Sequence, residues 1–189
     1  MPNAEAAPRW LAPALIIVLA ALGAFAGLWA GRIWLGEPPP WGGDGDMAAD
    51  LRFVDASIGI DRSLHQLRGE PVLINFWATW CPPCVKELPL LQTLHDNRGQ
   101  GGLRVLSIAQ EDSAEQVRAF LAQHELSLPT WLDPPSLGDS SRELGNNRSV
   151  LPFSLLLDAE GRIIKRRSGA FNEAQLAEWA QIARESNAP

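Results

Sequence analysis

This chain of 189 residues has little histidine, little cysteine and no basic run longer than Lys165-Arg166-Arg167. Each shortage excludes a class of function. The three histidines, His65, His95 and His124, are scattered without paired spacing, so no histidine-based metal motif is present. A zinc site on the two cysteines would need two further ligands. A c-type haem attachment needs His directly after the second cysteine, and Val85 stands there. The net charge is −6, so nucleic acid is not an expected partner. No internal repeat is visible.

What the chain does have is concentrated. Both cysteines lie in Trp80-Cys81-Pro82-Pro83-Cys84, directly after the apolar run from Val72 to Ala78. A purely structural disulfide usually joins distant segments, because a short loop removes little chain entropy. A strand that delivers C-x-x-C to the first turn of a helix is instead a dithiol/disulfide redox device, which needs no added cofactor. Cys81 is expected at the helix start, where unpaired N–H groups and the macrodipole favour a thiolate. Its pKa should then fall below the free-thiol value of about 8.5. Cys81 is the expected exposed nucleophile, and Cys84, one turn inward, the resolving thiol. Pro82 suits the first helical position, though each proline also removes a donor to sulfur. Glu87 follows Cys84 by three residues. Spacing alone leaves it as a proton carrier or as a solvated residue beside Lys86.

With these residues in view, the chain resembles the thioredoxin superfamily, and within it the membrane-anchored TlpA/ResA-like thiol–disulfide oxidoreductases. The resemblance is carried by Val72–Cys84 (VLINFWATWCPPC), by Ser63–Gly69 upstream, and by Leu151-Pro152 with Phe153–Asp158 and Gly161 downstream. It covers roughly residues 51–186 and implies an α/β thioredoxin fold with a central mixed sheet flanked by helices. It implies a redox-active disulfide Cys81–Cys84, and a cis Pro152 facing it. Leu151 would then offer its backbone to an extended substrate. It also implies an acid–base role for Glu87. Asn75 stands where thioredoxins proper have a buried Asp, and an amide cannot titrate, so proton handling falls to Glu87 or water. Trp80 is expected beside Cys81 as an apolar contact for substrate, and Trp77 inside the core. The chain departs from the family at Leu151 and Phe153 around the proline. It also departs at Leu144-Gly145, where an aromatic-Gly pair is usual; there is no tyrosine anywhere. Asn146-Asn147-Arg148-Ser149 is polar and falls at the expected substrate rim.

Residues 11–35 are strongly apolar, and Leu11–Gly31 carries no charge, which is long enough to span a bilayer. Trp10, Trp29 and Trp34 lie near its ends, as interface anchors do. The expected organisation is a short cytoplasmic N-terminus (1–10), one transmembrane anchor (11–35), a Pro/Gly linker (36–50) and a thioredoxin-like domain (51–189). A cleaved signal ending near Ala24-Phe25-Ala26 is the alternative. Either exports the domain. The anchored form places the domain in the periplasm, on a single-pass protein of the bacterial inner membrane.

Within the domain, Leu51–Ile60 reads as a hairpin. Val72–Ala78, Leu103–Ala109 and Pro129–Leu132 read as strands, with a terminal hairpin at Phe153–Leu157 and Arg162–Ser168. Helices are expected at Pro82–Asn97, with Val85, Leu88, Leu91 and Leu94 facing the sheet, after Ser113, and after Asn172. The leading function is a reductant of oxidised extracytoplasmic proteins, such as apocytochrome c or a metal-site assembly factor. By resemblance its electrons come from a membrane thiol carrier of the DsbD/CcdA type. Alternatives are a DsbA-like net oxidant and a chaperone that holds Cu(I) on the two thiolates; against the latter, Met47 lies in the linker and no Cys/His/Met cluster is evident. A peroxidase of the peroxiredoxin type needs Thr three residues before its cysteine. Thr79 is two before Cys81 and five before Cys84, so that spacing fails.

Overall fold

The computed structural model describes Gly23 and residues 45–100 and 103–187. The anchor expected at 11–35 lies outside these apart from Gly23. Among the described residues no helix is long and apolar enough to cross a membrane.

The centre of the domain is strand β3 (Val72–Trp77), buried on both faces, as its unbroken apolar run dictates. It pairs in parallel with β4 (Arg104–Ala109) and antiparallel with β6 (Phe153–Leu157). β5 (Thr130–Leu132) continues the parallel side. β7 (Ile163–Ser168) closes one edge as the hairpin partner of β6. The other edge is the hairpin β1 (Arg52–Asp55) and β2 (Asp61–Ser63), giving the order β2-β1-β5-β4-β3-β6-β7. The turn between β6 and β7 is set by Asp158, whose Oδ1 accepts from the N–H groups of Glu160 and Arg162. Gly161 there adopts φ +88, a conformation that costs a residue with a Cβ.

Three helices cover one face: α1 (Pro82–Asp96), α2 (Ala114–Gln123) and, after the four-residue α3 (Ser140–Glu143), the terminal α4 (Glu173–Ser186). Leu88 and Leu91 of α1, Val117 of α2 and Trp179 of α4 pack there against Leu73 and Trp77. The capping predicted from Ser113 and Asn172 is present. Ser113 Oγ accepts from Gln116 N–H, and Asn172 forms a reciprocal capping box with Gln175. The opposite face is closed by Phe53, Leu64, Leu67, Trp131 and Leu144. This is the α/β thioredoxin fold with a mixed sheet.

Two expectations are corrected. The inward face of α1 is Cys84, Glu87, Leu88 and Leu91, with Leu94 packed partly buried against the same cluster, while Val85 is only half-buried and outside it. A search for apolar spacing passes over a carboxylate that has buried partners. Secondly, the linker does not run to residue 50. Gly45 N–H bonds to Ile163 C=O, Ile163 N–H to Asp46 C=O, and Ala48 N–H to Gly161 C=O, so this strip lies along the edge of β7. Asp50 then fixes the start of the next turn by accepting from Ser63 Oγ and His65 N–H.

Candidate active site

The chain leaves the end of β3, turns through Ala78–Trp80, and enters α1 with Cys81 as the capping residue. Cys81 and Cys84 are joined by a disulfide, with sulfurs 2.08 Å apart. A helix start leaves its first N–H groups without intrahelical acceptors. Here Pro82 and Pro83 have none to offer, Cys81 N–H bonds to Ala78 C=O, and Val85 N–H bonds to Cys81 C=O. The Cys84 N–H is the one backbone donor left at this terminus. The thiolate expected at Cys81 therefore has a single free donor and the macrodipole behind it.

Cys81 is 4% exposed and Cys84 fully buried. The order of accessibility is the one expected, but Cys81 is not an exposed residue. It packs in the cluster that holds Trp77, Ala78 and Leu88. Trp80 is the exposed group, at 68%. Trp77 is fully buried, with its ring 5.4 Å from Phe120.

Glu87 lies one turn below Cys84 and is 2% exposed. Its Oε1 accepts from Asn75 Nδ2 at 2.8 Å and its Oε2 from Phe171 N–H at 2.7 Å. Burial pushes its pKa up from 4.5 to about 7, against the pull of those two donors and of the Arg167 guanidinium. Arg167 in turn lies over the Phe171 ring, 5.2 Å from its centroid, and donates to Ala170 C=O. Strand register explains the assembly. Asn75 faces Ser154, and Ser154 faces Arg167, so the three form one row across β3, β6 and β7 beneath α1. Asn75 also donates to Ser154 Oγ at 3.0 Å.

The Leu151–Pro152 peptide is cis. Phe153 pairs with Phe76, which brings Pro152 to the end of β3 that carries Cys81. Leu151 packs against both core clusters, one of which contains the two cysteines. The structure thus brings Cys81, Cys84, Glu87, Leu151 and Pro152 to one end of the sheet, with Trp80 at its surface.

A residue that the sequence reading missed is Glu111, buried just beyond β4. Its Oε1 accepts from the Thr79 N–H at 2.8 Å and the Thr79 hydroxyl at 2.5 Å. It holds the loop that leads into Cys81, and its only sequence signal is an acid just past a buried strand. The Thr79 hydroxyl is engaged here, in keeping with the failed peroxidase spacing. Among the described residues no group of three or more His, Cys, Asp or Glu side chains could hold a metal ion. Met47 pairs with Arg162, next to the β6–β7 turn. Leu157 of that hairpin faces Val72, at the far end of β3 from the dithiol. Met47 therefore lies toward the opposite end of the sheet from Cys81 and Cys84.

The Redoxin family matches residues 44–181. Thiol-disulfide oxidoreductase ResA of Bacillus cereus is 29% identical over 118 residues, which are 62% of this chain and 66% of that protein. The chain therefore matches just under two thirds of that relative's length. Sporulation thiol-disulfide oxidoreductase A of Bacillus subtilis is 31% identical over 117 residues, 60% of this chain and 68% of the relative. The crystal structure of StoA from Bacillus subtilis superposes with a TM-score of 0.55 at 30% identity, over 70% of this chain and 98% of that one.

Proposed function

The chain belongs to the Redoxin family, and from that premise we propose that it is a thiol–disulfide oxidoreductase acting as a reductant of extracytoplasmic proteins. The reaction follows from the site. The Cys81 thiolate attacks one sulfur of a client disulfide, forming a Cys81–client mixed disulfide and releasing the other client sulfur as a thiolate. Cys84 loses its proton and attacks Cys81 Sγ, which closes the Cys81–Cys84 disulfide and releases the second client thiol. Two electrons pass to the client; its first sulfur leaves as a thiolate that takes a proton from solvent, and its second takes up the proton that Cys84 gives up by way of Glu87. Glu87, buried one turn from Cys84, accepts the Cys84 proton. Trp80 gives the client an apolar contact, and Leu151 gives it a backbone to pair with.

The direction of transfer is supported by one observation, the two prolines at the start of α1. A strong oxidant of this class owes its potential to a stabilised reduced form. Here only the Cys84 N–H remains to stabilise the Cys81 thiolate, which favours the oxidised form and hence a reducing couple. We place the domain outside the cytoplasm, tethered through residues 11–35. Clients would be oxidised proteins such as apocytochrome c or metal-site assembly factors, and electrons would come from a membrane thiol carrier of the DsbD/CcdA type. Supporting this are the 21-residue uncharged stretch and the need of any reductant in an oxidising compartment for an outside electron source.

Equilibration of the full-length protein in glutathione buffers tests the direction. The expected potential lies near the thioredoxin value of about −270 mV. A value near the DsbA figure of about −120 mV would establish the net-oxidant reading instead.

A further inference from the structure

The segment between α3 and β6 carries Val150, Leu151 and Pro152 to the active-site end of the sheet, and side chains rather than a regular element hold it there. The central one is Asn146, which is buried. Its Oδ1 accepts from Val150 N–H at 3.0 Å, and its Nδ2 donates to Val150 C=O at 3.0 Å. The same Nδ2 donates to Ser141 Oγ at 2.9 Å, and Ser141 Oγ donates to Asp139 Oδ1 at 2.6 Å. Asp139 also receives Gln110 Nε2 at 2.8 Å and, on its other oxygen, Ser149 Oγ at 2.6 Å. Gln110 in turn bonds through its own N–H to Trp77 C=O at 2.8 Å. A continuous set of hydrogen bonds therefore runs from the last residue of β3 to the backbone of Val150. Ser149, beside Val150, has φ +47, a conformation serine holds only where its surroundings impose it.

Both backbone polar groups of Val150 are thus used within the protein. An incoming chain meets Val150 only through its side chain, which is 40% exposed. The Val150 C=O shares one planar trans peptide unit with the Leu151 N–H, so the two point in opposite directions. By holding the C=O inward, Asn146 aims the Leu151 N–H outward. We propose that Asn146 is a positioning residue that presents the Leu151 backbone to extended polypeptide clients, so that the site favours a cystine within a protein over a small free disulfide. This rests on the oxidoreductase reading above and adds to it a device for client choice.

The test compares the full-length wild type with Asn146→Ala and Asn146→Asp. Asp keeps an acceptor for the Val150 N–H but sets a carboxylate oxygen against the Val150 C=O. Two reactions are measured: reduction of insulin, a protein disulfide, and reduction of dithionitrobenzoate, a small disulfide that needs no backbone pairing. In both variants KM for insulin should rise about 5-fold, the effect of losing one net hydrogen bond, with kcat and the dithionitrobenzoate rate unchanged. Equal losses in both reactions, or no change in either, overturn the proposal. If Asn146→Ala does not fold, the Asp variant decides by the same ratio. A wild type that reduces dithionitrobenzoate but not insulin overturns this inference alone. A wild type that reduces neither overturns the oxidoreductase reading and this inference with it.

Discussion

Cys81→Ser abolishes turnover of protein disulfides, with a loss on the order of 10³-fold or more, while the fold survives. The thiolate is the nucleophile of exchange, and a serine hydroxyl at neutral pH is too weakly ionised to replace it. Cys84 cannot take over the first attack. It is fully buried on the inner face of α1, whereas Cys81 keeps part of its surface exposed. The fold should tolerate the change, because the Cys81–Cys84 bridge closes a loop of only three residues and removes little entropy from the unfolded chain. Insulin reduction and a urea melt of the same preparation check both halves of the expectation. Retention of more than a tenth of wild-type turnover would mean that another group performs the attack.

Glu87→Gln flattens the dependence of stability on pH and slows exchange. The folded carboxyl has its pKa raised to about 7, chiefly because burial disfavours its charge. Between its ordinary value of 4.5 and about 7 the folded protein holds a proton that the unfolded chain has released. Stability therefore falls as pH rises through that window, by on the order of 3 kcal/mol across it. Gln carries no such charge, so the oxidised variant should lose the fall between pH 5 and pH 8, leaving the opposite trend of His95, whose pKa burial holds below 6.5. The wild type should be clearly weaker at pH 8. The site can also accept the amide. Asn75 Oδ1 lacks a partner, and a turned Asn75 amide could receive the new N–H. With no group left to take the Cys84 proton, closure of the disulfide should slow by about 100-fold at pH 7, the usual scale for losing a general base. A variant that keeps the wild-type rate would remove Glu87 from the mechanism, and one that keeps the wild-type pH slope would contradict its raised pKa.

Much of this site was legible because its determinants are local. Trp80–Cys84, the apolar strand before it and the capped helices after it are each written within a few residues. The same holds for the β6–β7 hairpin. Features that were not legible depend on residues distant in sequence. The burial of Glu87 needs Asn75, 12 residues upstream, and Phe171, 84 residues downstream, and no periodicity of apolar residues reports a carboxylate turned inward. The same spacing rule put Val85 inward, where Cys84 and Glu87 take that face with Leu88 and Leu91. Glu111 and Asn146 are polar residues in loops, and their roles exist only once β4, β5 and the Leu151–Pro152 segment converge. The polar character of Asn146–Ser149 marked a substrate rim, yet it could not show that the Asn146 amide clasps both backbone groups of Val150. The strip from Gly45 to Ala48 looked like linker because its composition is that of one, and only its backbone pairing with β7 makes it part of the domain.

The central claim is the order of attack, Cys81 first and Cys84 second. It is tested most directly by mixing reduced full-length Cys84→Ser with oxidised insulin and mapping the adduct by mass spectrometry. A stable mixed disulfide on Cys81 that accumulates in Cys84→Ser, and in neither the wild type nor Cys81→Ser, is the predicted result. No adduct on Cys81, or an adduct on Cys84 when Cys81 is the residue replaced, would contradict it.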